Sequence, residues 1–370
     1  MKPGGAPETT PPYSRSRARW IGSIVLALAL GGLGGWLGKL VGLPLPWMIG
    51  ALLATTAAAI AGLPVAMATP LRTAMTAILG VLLGSRFAPE ILGQAGQWLI
   101  SLSMLVPFIV VSTALGYVYF RRHCGYDRIT AYFSATPGGL QEMVLVGSAM
   151  GGDSRRISLT HTTRILIVVL TLPFAFSWLL GYQPGSRPAG GPLLAAASLE
   201  DLAVLTVCAV TGYLGARSLR IPAASIIGPM AVSAAVHLAG LSRAAPPVEL
   251  VAMAQVAVGT ALGARFAGTK LRFIWRTILQ SVGVTAIMVT SSLAFATLLH
   301  FWQGFPEEEL VLAFAPGGLT EMSLIALALG RDAAFVAIHH ILRIFLVIVS
   351  AAPTFKLLRR FEERRQPTPP

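Results

Sequence analysis

Charge is what this sequence has least of. Asp, Glu, Lys and Arg make up 12% of its 370 residues, where a soluble domain carries about a quarter, so a water-facing globule is excluded. Two cysteines, Cys124 and Cys208, are too few for a disulfide framework, and neither stands in a CxxC or Cys/His spacing that would hold zinc. The six histidines are scattered. Copper or iron oxidation needs clustered ligands with an open position; His123 and His300 sit at the ends of apolar runs, His237 stands alone, and only His161 and His340 with Glu142 and Glu321 could converge, so an oxidase is set aside and neither metal nor cofactor is expected. Acids are scarcer than bases, 15 against 28, but the basic excess is spread between apolar runs and not gathered on one face as a nucleic-acid surface requires. A direct nucleic-acid partner is therefore excluded, and no residue pattern points to an enzyme.

What the chain has is apolar sequence, 55% of the residues and a mean hydropathy of +0.71, laid out in runs long enough to span a bilayer, which takes about 17–25 residues each. Such runs lie near 20–41, 46–62, 71–88, 96–120 and 157–181, and again near 202–219, 222–240, 250–268, 277–299 and 336–357. The expected fold is an all-α polytopic membrane protein of about ten transmembrane helices. Ala27-Leu28-Ala29 resembles a signal-peptide cleavage site, but its run continues well past that point and has a mid-chain counterpart, so it reads as a retained helix. Two more apolar stretches, 129–150 and 310–330, are each broken by Pro-Gly-Gly and carry a Glu.

The chain repeats itself at an offset of 178 or 179 residues. Thr136-Pro137-Gly138-Gly139-Leu140-Gln141-Glu142-Met143 recurs as Ala315-Pro316-Gly317-Gly318-Leu319-Thr320-Glu321-Met322. Asp153, His161 and Arg164 match Asp332, His340 and Arg343; Gly80, Gly84, Arg86 and Phe87 match Gly259, Gly263, Arg265 and Phe266; Gly34, Pro44 and Gly50 match Gly212, Pro222 and Gly228. The organisation that follows is a polar basic cytoplasmic arm (1–19), a first membrane repeat (20–181), a linker rich in Gly and Pro (182–199), a second repeat (200–357) and a basic cytoplasmic tail (358–370). Lys and Arg concentrate on the cytoplasmic side of bacterial membrane proteins. If each Pro-Gly-Gly segment enters and leaves on one face, every half crosses five times, the halves are inverted, and 21 Lys and Arg lie inside against five outside. If the segments cross fully, the halves are parallel and the split is about 14 to 12. The inverted arrangement is favoured, in a bacterial inner membrane with both termini cytoplasmic.

Backbone broken at membrane depth is tolerated only inside protein or beside a water-filled cavity, and paired interrupted helices in inverted halves are a common build of secondary transporters. The breaks Pro137, Gly138, Gly139 and Pro316, Gly317, Gly318 are thus the expected site. Glu142 and Glu321 lie at the start of each outgoing half-helix, where the dipole favours a carboxylate. Arg164 and Arg343 are basic residues inside confident spans, and His161 and His340 stand three residues before them on the same helical face. Pairs of Glu142 with Arg164 and of Glu321 with Arg343 are expected, in a cluster suited to binding an anion or relaying protons. Asp153 and Asp332 read as loop caps, and the small-xxx-small glycines as close helix packing.

The doubled PGGL-x-EM motif, the Leu43–Gly50 sequence LPLPWMIG and the pair LGSRF and LGARF together resemble the membrane AbrB family, in its duplicated Gram-negative type also labelled an ammonia monooxygenase. The resemblance covers roughly 20–357. It implies regulation of gene expression and an inner-membrane location; the family shares only a name with soluble DNA-binding transition-state regulators. The layout is also similar to that of the large cation/proton antiporter and bile-acid transporter class, whose inverted halves each carry a broken helix. The expected function is proton- or sodium-coupled secondary transport of a small solute, an organic acid or an amine. The alternative is a non-transporting membrane sensor acting indirectly on gene expression. The partners expected are the solute, H+ or Na+, and the lipid bilayer, with a homodimer left open.

Overall fold

The computed structural model describes residues 17–93, 95–180, 190–269 and 271–365. The expected arm up to residue 16, residues 182–189 of the expected linker, and residues 366–370 of the expected tail lie outside the described residues.

Fifteen α-helices form among the described residues. The first eight are α1 (Arg17–Leu40), α2 (Pro46–Ile60), α3 (Thr69–Gly84), α4 (Ala95–Ser103), α5 (Leu105–His123), α6 (Arg128–Ala135), α7 (Leu140–Ala149) and α8 (Ser154–Leu180). The rest are α9 (Leu199–Ser218), α10 (Ala224–Leu238), α11 (Val248–Gly263), α12 (Leu271–Gln303), α13 (Glu307–Phe314), α14 (Leu319–Ala328) and α15 (Ala333–Arg365). In hydrocarbon a helix satisfies its own backbone groups, so apolar runs of this length become helices. Their starts are capped where the sequence offers an acceptor. Asp127 accepts from the Thr130 amide at 2.9 Å, Asp153 from those of Arg155 and Arg156, each at 3.0 Å, and Asp332 from those of Ala334 and Phe335 at 2.9 and 3.0 Å. Both aspartates singled out after the breaks are therefore helix caps.

Among the described residues, seven helices are long and apolar enough to cross a membrane: Arg17–Leu40, Gly96–His123, Ser154–Leu179, Leu199–Ser218, Val248–Phe266, Arg272–Gln303 and Ala333–Leu358. They expose large apolar side chains such as Val110, Trp178, Leu199 and Phe301, an arrangement suited to lipid and not to water. The chain is a multi-pass membrane protein. Three further runs read as spans become α2, α3 and α10, of 15, 16 and 15 residues; at 1.5 Å per residue these reach about 23 Å, short of a ~30 Å core.

The helices gather into two bundles. In one, α2 packs between α1 and α11, and α10 between α9 and α3. The crossings are close because glycine meets backbone. A side chain on Gly34 would run into Gly50 and one on Gly212 into Gly228, while Gly80 faces Ile226 and Gly259 faces Met48 through their carbonyls. In the other bundle, α12 lies against α5, α8 and α13, and α15 against α13 and α14, with α6 and α7 on α8. The bundles meet where α3 touches α14 and α15 and where α8 touches the 264–266 turn, and one continuous buried apolar cluster runs through both.

Candidate functional site: a cavity between the bundles

Both Pro-Gly-Gly motifs interrupt their helices. Chain 136–139 separates α6 from α7, and 315–318 separates α13 from α14. Proline cannot continue the hydrogen-bond ladder and glycine gives the turn its freedom, so each break yields half-helices of eight and ten residues, about 12 and 15 Å long. A helix end leaves its last carbonyls and first amides without internal partners; the ends of α6 and α13 and the start of α14 are buried here, and the start of α7 is partly exposed.

The arginines and histidines serve the carbonyl ends. From α8, Arg164 donates to the Thr136 carbonyl at 3.4 Å and approaches Met288 Sδ at 3.5 Å. From α15, Arg343 donates to the carbonyls of Ala315 at 2.6 Å and Gly317 at 2.9 Å. His161 Nε2 meets the Phe133 carbonyl at 2.8 Å and His340 Nε2 the Leu312 carbonyl at 2.9 Å. A carbonyl only accepts, so each ring carries its proton on Nε2. That leaves Nδ1 to accept from the arginine one turn on, Arg164 at 3.0 Å and Arg343 at 2.9 Å. Both His-Arg pairs therefore do the same work at equal spacing, and all four side chains are buried. His339 instead bridges the Phe335 carbonyl and Ser101 Oγ at 2.8 and 2.9 Å.

The glutamates serve the amide ends. Glu142 and Glu321 occupy the third helical positions of α7 and α14, whose N-caps are Gly139 and Gly318. Each carboxylate folds back over its cap glycine, where a Cβ would collide with Oε2, much as the acid of a capping box reaches its N-cap. Among the described residues no ion pair joins Glu142 to Arg164 or Glu321 to Arg343, contrary to the pairing expected from opposite charge; ion pairs form instead between Arg156 and Asp153 and between Arg331 and Glu308. Cations at the carbonyl ends and anions at the amide ends each oppose the local helix dipole.

The two glutamates and the two arginines face one cavity of about 200 Å³, whereas His161 and His340 stand behind the arginines and do not line it. Gly138, Gly139, Glu142 and Arg164 of the first break line it with Gly317, Gly318, Glu321 and Arg343 of the second. The opposite wall comes from the other bundle: Arg72 and Thr76 of α3, Ala223, Ser225 and Ile226 at the start of α10, and Val258, Ala261 and Leu262 of α11 with Arg265 just beyond its end. Ala223 takes a left-handed backbone, φ 48°, which strains a residue with a Cβ and is often stored at functional places. With its carboxamide oxygen turned toward α3, Gln141 accepts from Arg72 at 2.8 and 3.2 Å. Arg265 lies within electrostatic reach of Arg72 and Glu321. The spacing of motifs does not announce Arg72, which reads as a charge at a loop edge, nor Gln141 and Thr76. Arg265 stands out in the sequence as the partner of Arg86 in the repeat, and only Arg265 of the two lines the cavity. Among the described residues no three His, Cys, Asp or Glu side chains converge as metal ligands would.

The model of the family described as "Transition state regulatory protein AbrB" matches residues 47–359, a stretch that holds both breaks and the whole cavity wall. The chain is also similar to "Uncharacterized protein YhjN" of Bacillus subtilis (strain 168), 26% identical over 92% of this chain and 94% of that protein. It is similar as well to "Putative regulator AbrB" of Escherichia coli (strain K12), 23% identical over 88% of this chain and 93% of that protein.

Proposed function

Because the chain belongs to the AbrB family, whose matched region includes every polar group of the cavity, we propose that it is a secondary transporter of a small solute coupled to protons or sodium. It sits in a bacterial inner membrane with both termini cytoplasmic and crosses about ten times, the seven long helices being joined by α2, α3 and α10, whose flanking loop residues complete each crossing. Its two halves are inverted repeats, and the Pro-Gly-Gly segments are re-entrant. The observation that carries this reading is the cavity itself, where both interrupted helices and two opposed bundles meet around two carboxylates. Recurrence beyond the motifs supports the duplication: left-handed residues recur at Gly42 and Arg220, at Leu45 and Ala223, and at Gly62 and Gly240, each at one offset. Close helix approaches between the bundles are few beside those within each, which suits rigid-body motion of one against the other, the usual basis of alternating access around a fixed site.

In this mechanism Glu142 and Glu321 take up and release the coupling ion. The His-Arg pairs hold the carbonyl ends of the breaks in place, and the wall carrying Arg72 and Arg265 slides or rocks relative to them. The protein is not an enzyme in this reading, and its partners are the solute, the ion and lipid. Proteoliposomes holding the purified chain and a pH-sensitive dye test it against a panel of organic acids and amines. A solute-driven, saturable flux is expected for the native protein and is lost in the Glu142→Gln, Glu321→Gln double variant; normal uptake by that variant would sink the idea.

A second reading, a sensor that binds solute without net flux and acts on gene expression indirectly, is favoured by the word regulator in the name of one relative and regulatory in the family description. Saturable binding without flux in the same vesicles would select it.

A further inference from the structure

The cavity wall carries an unequal charge. Four guanidiniums, those of Arg72, Arg164, Arg265 and Arg343, face two carboxylates, Glu142 and Glu321. Four of the six are matched to helix ends: Arg164 and Arg343 donate to carbonyls at the breaks, and the two glutamates fold over the amide ends. The surplus is the pair Arg72 and Arg265, both on the bundle facing the breaks and within electrostatic reach of one another. Two like charges at one small cavity repel through a medium that screens less than bulk water. Arg72 finds a neutral acceptor in Gln141, which satisfies its donors without cancelling its charge. The Nε groups of Arg164 and Arg343 are also buried with no hydrogen-bond partner, although these side chains are 2% and 3% exposed. A buried donor without an acceptor is costly and asks what fills it.

We propose that this cavity receives a small carboxylate anion, held by Arg72 and Arg265 on one bundle against the two breaks on the other. The proposal rests on the transport reading of the same site and narrows its cargo from acid or amine to acid. A planar guanidinium fork matches a carboxylate by paired charge-assisted hydrogen bonds. An ammonium would meet the surplus positive charge and be repelled. The volume, about 200 Å³, is below the ~300–1,000 Å³ of sites for drug-sized ligands. It suits an acid of a few carbons. The glutamates limit the charge such an anion can carry, so neutralising one of them aids binding where neutralising an arginine hinders it.

The sign of these two effects is the test. Full-length protein in nanodiscs is melted with increasing sodium acetate, lactate or succinate, ionic strength being held with choline chloride, and sodium phosphate and sulfate are run alongside. A saturable rise in the melting temperature with at least one carboxylate is expected. Apparent affinity falls about tenfold or more in Arg72→Gln and in Arg265→Gln, as expected for a lost charge-assisted bond. It is unchanged in Arg217→Gln, whose charge lies away from the cavity, and equal or tighter in Glu321→Gln. No saturable response to any carboxylate, a response confined to phosphate or sulfate, or native affinity in both cavity arginine variants overturns the proposal. Because the three substitutions at the cavity are predicted to act in different directions, general misfolding cannot imitate the result. Counterflow of the radiolabelled carboxylate separates the two readings. Saturable binding without counterflow overturns transport and leaves the anion site standing; counterflow of an amine with no carboxylate binding does the reverse.

Discussion

At each of the two breaks an imidazole sits between a free carbonyl and a guanidinium. His161 and His340 each give Nε2–H to a carbonyl 28 residues earlier in the chain and receive an arginine on Nδ1. A proton relay through either ring would first have to break one of those bonds. Truncating the ring leaves one carbonyl and one guanidinium donor unpaired in a buried place, at about 1–3 kcal/mol. His161→Ala and His340→Ala are therefore expected to lower the free energy of denaturation by about that much in detergent. Gln at either position, which can donate to the carbonyl and accept from the arginine, recovers part of the loss. Equal stability of the Ala variants and native protein would remove the orienting role. The spacing of three between each His and Arg is plain in the sequence, and so is their shared helical face. Their partners are not. Opposite charge suggests Glu142 and Glu321, but Pro-Gly-Gly frees carbonyls at the end of the preceding half-helix, and those backbone acceptors have no letter in the sequence.

Among the elements, α2, α3, α10 and α11 carry the close crossings that fix one wall of the cavity. Gly259 lies against the Met48 carbonyl, with Ala51 Cβ and the Leu52 nitrogen each 3.1 Å from where its own Cβ would stand. The obstacle is mostly backbone and cannot rotate away. Gly32 has nothing within 4 Å of that position. Gly259→Ala is expected to destabilise by about 1–3 kcal/mol through overpacking, whereas Gly32→Ala should be neutral or gain a few tenths from helix propensity. Melting curves of the two purified variants decide this, and equal shifts would mean that the α2–α11 crossing relaxes freely. Small-residue spacing in the sequence is enough to mark the glycines at such crossings. It does not say which helices meet, because Gly80 and Gly259 reach across from one half of the chain to the other. Nor does hydropathy distinguish the seven long helices from α2, α3 and α10, since a run of apolar residues has the same composition whether it spans lipid or packs within protein. The division into two bundles, and so the cavity wall holding Arg72, is likewise hidden; it depends on contacts far apart in the chain, such as Arg72 with Gln141.

For the whole molecule, the orientation of the halves is the quantity on which the proposed mechanism turns. Charge counting favours inversion, and inversion makes a prediction that parallel repeats do not: matching ends of matching helices lie on opposite faces of the membrane. The end of α5 at His123 and the end of α12 at Gln303 are such a pair, and both residues are exposed. Native thiols need to be removed first. Cys208 is buried in α9, and Cys124, just beyond the Gly96–His123 span, is buried as well; burial pushes its thiol pKa up, which makes it a poor label in any case. In a Cys124→Ser, Cys208→Ser background, single cysteines are placed by His123→Cys and Gln303→Cys and treated in intact cells with a membrane-impermeant maleimide. Inverted halves leave the first protected and the second labelled, and inside-out vesicles exchange the two results. Labelling of both from one side would make the repeats parallel. The Pro-Gly-Gly segments would then cross the membrane fully, and their convergence on one cavity could no longer be attributed to re-entrant halves meeting from opposite faces.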